Sequence, residues 1–150
     1  FVIITEILMV VFGSVKTGVR LDRFTLTSLL DGIRNHQTVI SNGPFACLHI
    51  PGNETLGIGN TIKRNSISQL TVSAESTSEY GFWNELSLFW GICKNRHEIK
   101  QSLTLGESSY TVEFDIQSIP EQSDYVRLEA YSSRESLTYF CITSPIWMID

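Results

Sequence analysis

Histidine is scarce in this 150-residue chain, with only His36, His49 and His97 present. Hydrolytic metal sites gather several His, Asp or Glu ligands at short spacings such as HxH, HExxH or DxH. None of these spacings occurs. Cysteine is equally sparse, and Cys47, Cys93 and Cys141 make an odd number with no short repeated spacing. That argues against a disulfide framework and for a reducing, cytoplasmic compartment. Each cysteine lies in an apolar run and reads as a buried free thiol. A membrane span, which needs about 20 apolar residues, is also missing. The apolar run FVIITEILMVVF at positions 1–12 is too short and contains Glu6. No basic region precedes it, as a secretory signal would require. It reads as a buried strand or helix whose partners lie upstream, so the chain is expected to be the tail of something longer. No membrane partner is expected. Basic charge is not in excess either, since the net charge is −5. Residues 1–44 hold four basic and three acidic side chains, and residues 45–150 hold seven and thirteen. The acidic second part carries no electrostatic footprint for nucleic acid.

What is present is a globular composition, 42% hydrophobic and 18% charged. TLTSLLDGIRNH reads as a helix, with Leu26, Leu29, Leu30 and Ile33 on one apolar stripe. Thr25 or Thr27 can cap it, Ser28 and Asp31 repeat the capping-box spacing, and Gly32 weakens it. The stripe needs a partner, and the run at 1–12 is the nearest in sequence. Thr38–Ser41 reads as a short β run stopped by Asn42-Gly43-Pro44. Pro44 biases Gly43 away from the right-handed helical region, which suits a sharp exit.

Beyond Pro44 the period becomes two. FACLHI, SISQLTVSAE, FWNELSLFWGI, SSYTVEFDI, YVRLEAYS and SLTYFCITSP are short runs bounded by turn residues. They predict a mainly β fold: an antiparallel β-sandwich of about six or seven strands, preceded by a short α/β segment. Residues 1–44 form the incomplete leading segment and residues 45–150 the sandwich. Ile67, Leu70, Val72, Leu86, Leu88, Val112, Phe114, Val126, Leu128 and Ile142 are the expected core.

No complete catalytic set emerges. Cys93 and His97 give one half of a metal site without the other, in a stretch that reads as a solvated turn. Cys47 and His49 share one strand face, an arrangement open to a nucleophile and base but more usual for packing. The GIGN stretch at 57–60 has two glycines of a dinucleotide fingerprint, but Ile62 stands at the third position and no helix is expected after it. Asn53-Glu54-Thr55 is a glycosylation sequon in a chain without an export signal. Trp83, Phe89 and Trp90 could stack on sugar, although core packing is the commoner use of strand tryptophans. Glu75, Glu79 and Glu85 do not frame a glycosidase pair. No catalytic, cofactor-binding or metal-ligating residue is assigned.

Three stretches carry a family resemblance: FGSVKTGVRL, TLTSLLDGIRNHQTVISNGPF and the closing YVRLEAYSSRESLTYFCITSPIWM. They resemble the C-terminal part of PHP-domain metal-dependent hydrolases, of the polymerase and histidinol phosphatase type, in the carbaryl-hydrolase-like branch. There, a helix followed by an SNGP-like phrase leaves the catalytic barrel. A β-rich region follows, with a YVR-x-E-like phrase near its end and a TSPI-like phrase after it. The matching residues here are Ile33-Arg34, Thr38 to Pro44, Tyr125 to Glu129, and Thr143 to Ile146. Residues 53–120 match only as a β-rich region. The resemblance implies a parent hydrolase with divalent Zn, Mn or Fe, whose ligands include HxH and DxH motifs upstream of the matched stretch. No ligand carries over. This chain is then the non-catalytic end of such a phosphoesterase, inactive alone and needing no cofactor itself, with the parent's catalytic barrel as its partner. The alternative is a free-standing β-sandwich binding module for carbohydrate or protein.

Overall fold

The structure, a computed structural model, describes residues 15–106 and 108–150. The apolar run at 1–12 lies outside the described residues. Among those described, the chain forms β1 (Lys16–Val19), α1 (Leu26–Arg34), β2 (Thr38–Ser41), β3 (Phe45–Ile50), β4 (Asn53–Gly57), β5 (Thr61–Lys63) and β6 (Leu70–Glu75). It continues with β7 (Phe82–Ile92), β8 (His97–Leu103), β9 (Thr111–Ile116), β10 (Tyr125–Arg134), β11 (Leu137–Thr143) and β12 (Ile146–Ile149). The larger sheet has eight strands. Its path runs β1-β2-β11-β10-β7-β8, all antiparallel. Because β7 occupies one edge of β10, β12 pairs with the start of β10 on the same side as β11, and β5 lies parallel to β12. The smaller sheet is β4-β3-β6-β9.

The expected antiparallel sandwich is present, with more strands than expected. The additional ones are short or at edges, where few residues exist to show a period. One stretch is a correction. Residues 93–100 read as a solvated turn, but only Cys93–Asn95 turn, and His97–Leu103 form edge strand β8. Glu98 and Lys100 looked like turn residues because edge strands carry charge on their solvated side.

Between the sheets lie Ala46, Leu48, Leu70, Val72, Leu86, Leu88, Trp90, Val126, Leu128, Ala130 and Cys141, all at 1% exposure or less. Six of the ten expected core residues are therefore fully buried. Ile67, Val112 and Phe114 are half-buried against the core, the last two because β9 is an edge strand. Ile142 faces outward instead. Cys141 and Thr143, its neighbours on β11, take the inward positions. In β7 a bulge between the Glu85–Tyr131 and Trp83–Ser132 pairs takes Asn84 out of register. The bulge turns Trp83 to the same inward face as Leu86, against simple alternation.

Thr25 is the N-cap of α1, its hydroxyl accepting from the Ser28 N–H at 3.1 Å. Gly32 costs helix propensity but permits contact. A Cβ there would lie 2.6 Å from Val19 Cγ1 and 2.9 Å from the Arg20 carbonyl. The glycine is what lets α1 close on β1. Its apolar stripe points elsewhere, with Leu26, Leu30 and Ile33 exposed.

Leu128→Ala should cost about 2–5 kcal/mol of unfolding free energy, because it empties a closed interior site. Phe114→Ala, at the sheet edge, should cost roughly 1–2 kcal/mol. Urea denaturation of both variants checks this order, and equal losses would contradict it.

Candidate functional site: the joint at 38–44 and the faces around it

The joint is built from the stretches at the two ends of the described chain. β2 pairs with β11, matching Ser41 with Cys141 and Val39 with Thr143. Beyond the pairing, the Ser144 N–H donates to the Thr38 carbonyl at 2.9 Å, and the two hydroxyls lie 2.9 Å apart. Asn42 closes the other end. Its N–H donates to the Phe140 carbonyl, and its side-chain oxygen accepts from the Phe140 N–H at 2.7 Å. Ser41 Oγ accepts from the Gly43 N–H at 2.9 Å and donates to the Pro44 carbonyl at 2.5 Å. Gly43 lies under the Tyr80 ring, and a Cβ there would fall 2.4 Å from Cδ1. Tyr80 in turn meets Tyr139 edge-on at 5.2 Å. β3 then enters the smaller sheet, so the turn carries the chain between layers. Each residue of the SNGP phrase thus has a conformational task.

The GIGN stretch belongs to the same joint. It turns β4 into β5, Gly59 has φ +81°, and its N–H donates to the Pro145 carbonyl at 2.8 Å. A Cβ at Gly59 would lie 2.4 Å from the Asn35 carbonyl. Gly59 serves packing against the end of α1, Gly57 meets Arg20 and the Leu48 carbonyl, and no α-helix follows them to receive a phosphate.

The three histidines are placed apart. His36, at φ +55°, ends α1 in the left-handed region. His97 opens β8 on the surface. His49 lies on the outward face of β3 with Cys47, and its register partners across the sheet are Thr71 and then Asp115. No group of three or more His, Cys, Asp or Glu capable of holding a metal occurs among the described residues. The Cys47–His49 face has the wrong electrostatics for a nucleophile and base. Burial pushes the Cys47 thiol up to about 11, whereas an attacking cysteine needs a lowered pKa. Burial holds His49 below its usual value, with Glu113 and Asp115 opposing and Arg20 assisting. The Arg20 guanidinium occupies the space over Gly57 beside it. Of the three thiols read as buried, Cys141 is buried, Cys47 half-buried and Cys93 exposed in its turn.

Trp83 and Trp90 are core residues, 6% and 1% exposed. Their indole N–H groups donate to the Tyr110 carbonyl and to Gln101 Oε1. Phe89 lies under the Arg127 guanidinium, 4.4 Å from its ring centre. Glu75 and Glu79 are exposed, and Glu85 binds Lys100 at 2.5 Å. Among the described residues, two aromatic pairs reach solvent: Phe82 stacked on Tyr110, ring centres 4.3 Å apart, and Tyr125 with Trp147, 5.1 Å apart. The alternation of IWMI, with Ile146 and Met148 buried, was the available signal for the second pair.

Arg127 and Glu129 of the YVRLE phrase face outward and bind each other. Arg127 also grips both oxygens of Glu98, at 2.8 and 2.9 Å, across β7. Tyr125 donates to Glu98 and Tyr131 to Glu129. The Arg127 hydrogen bonds hold the Glu98 carboxyl below its usual range. These charges stitch three strands together. No helix among the described residues is long and apolar enough to cross a membrane. Comparison of the chain with known protein families, curated proteins and solved structures finds no match.

Asn42→Ala should destabilise by about 1–3 kcal/mol, because it leaves the Phe140 N–H without its acceptor. A thermal or urea midpoint indistinguishable from wild type would contradict the role given to Asn42. His49 is lowered in the fold from 6.5. The native state therefore disfavours its proton, and stability is full above that value and declines as pH falls below it. Urea midpoints at neutral and mildly acidic pH should show a smaller acid loss for His49→Gln than for wild type.

Proposed function

We propose that this chain is the C-terminal, non-catalytic region of a PHP-type metal-dependent hydrolase or phosphoesterase. In this reading the β-sandwich supports the parent's catalytic barrel. The observation that carries it is the adjacency of the resembling phrases. Residues 38–44, 125–129 and 143–146 come from opposite ends of the sequence, yet they lie on β2, β10 and the β11–β12 connection of one sheet. A set of phrases that builds one joint is what a shared accessory fold would preserve. The exposed stripe of α1 supports the same reading, because a helix that leaves a barrel needs its apolar face covered. The parent's Zn, Mn or Fe would be held by residues upstream. The described residues offer no donor set that fits such an ion, and no metal-assisted step is assigned to this chain. A cytoplasmic location and the absence of nucleic-acid and membrane partners go with this reading.

A free-standing binding module for carbohydrate or protein is the second reading. Trp147, 37% exposed beside Tyr125, favours it. Titration with soluble oligosaccharides, followed by tryptophan fluorescence in wild type and Trp147→Ala, separates the two. Saturable binding lost in the variant favours the module.

The purified chain should show no turnover of p-nitrophenyl phosphate with added Mn²⁺ or Zn²⁺, because hydrolysis needs a cation held in an open, fixed coordination sphere. Stoichiometric bound metal, with activity abolished by His49→Ala, would overturn the reading. The coding sequence upstream of Phe1 should continue in frame and encode HxH and DxH motifs. A signal peptide and start codon there would favour the second reading.

A further inference from the structure

Among the described residues, α1 leaves its apolar face exposed. Phe24, Leu26, Leu30 and Ile33 are 61%, 72%, 42% and 48% exposed within ten residues. Other exposed apolar side chains, such as Ile99 and Leu137, stand on separate strands. Scattered exposure is ordinary, but a helical stripe of this kind marks a contact surface. We propose that residues 1–12 of this same chain are what covers it. That run carries a single charge, Glu6, and has as much need of an apolar partner as the stripe has. Its connection is short: residues 13–15 lead into β1, and α1 packs on β1 where Gly32 meets Val19. Fourteen residues span up to about 46 Å when extended, and a nine-residue helix is only about 13.5 Å long. The run can therefore reach the whole stripe from the start of β1. Arg23 and Arg34 stand at the two ends of the stripe, Arg34 paired with Asp31 at 3.4 Å, so the apolar demand alone argues for the contact. The contact deepens the hydrolase reading, since the run would be the nearest part of the parent barrel, but it does not require that reading.

The test uses the full chain with benzoylphenylalanine replacing Leu26, Leu30 or, as control, Leu137, one at a time. Circular dichroism first confirms that each retains its strand signal. After irradiation, peptide mapping of the monomer should find adducts within residues 1–12 from positions 26 and 30, several-fold above position 137. A crosslinked dimer from positions 26 and 30 would assign the face to a second copy and overturn the proposal. Adducts confined to residues 15–150, or none, would overturn it too. None of these results depends on whether HxH and DxH motifs lie upstream, so the two proposals fail separately.

Discussion

The pairing of β2 with β11 joins residues nearly the length of the domain apart, and the two sheets meet through it. Asn42 and Phe140 are 98 positions apart, and Thr38 and Ser144 are 106 apart. Once β2 lies beside β11, the turn at 42–44 directs β3 into the other layer. There Ala46 comes against Cys141, with the thiol accepting from the Ala46 N–H at 3.2 Å and donating to its carbonyl at 3.6 Å. That contact ties the layers with a group small enough to be fully buried on both sides. Burial disfavours the thiolate and pushes the thiol's pKa up to about 12, against the lowering effect of the Ala46 backbone hydrogen bond. Contacts of such separation are costly to close before they are rewarded. The order of closure therefore matters more here than in a chain of local hairpins.

The side chains that look most chemical are engaged with one another. Arg127 satisfies Glu98 and Glu129 and rests on Phe89. Glu85 holds Lys100 and Ser87. Thr71, almost fully buried, donates to Asp115 on the next strand. Each network spans strands of one sheet and leaves its carboxylates paired, where a general acid or base needs an oxygen facing substrate. Among the described residues, the exposed apolar surfaces include the stripe on α1, the Trp147 edge and the stacked Phe82–Tyr110 pair. This arrangement is part of the support for the proposal that the region is an accessory to a catalytic partner.

Much of the fold was legible because alternation survives wherever one face of a strand is buried. Val126, Leu128 and Ala130 inward, with Arg127 and Glu129 outward, follow directly from YVRLEA. The N-cap was legible only as Thr25 or Thr27, since either hydroxyl precedes part of the apolar stripe, and the fold uses Thr25. The exceptions have specific causes. Trp83 turned inward because of a bulge that no local pattern announces. In β11, TYFCIT is apolar or neutral on both faces, so alternation could not choose between Ile142 and Cys141. β8 was hidden by its charges, and β4, β5 and β12 by their brevity.

The sequence by itself determined the strand-rich class, the helix and its stripe, the sharp exit at Asn42-Gly43-Pro44, and the lack of any ligand spacing for a metal. These are local properties, set by side-chain period, by turn geometry and by which residues are present. The tertiary structure alone decided that the SNGP phrase and the SPI phrase belong to one joint. It also decided that Gly32 and Gly59 exist for close approach rather than flexibility. And it decided that Arg127 and Glu129 are partners of each other. Those facts depend on which distant segments come within a few ångströms, and such proximity is a property of the assembled sheets rather than of any window along the chain.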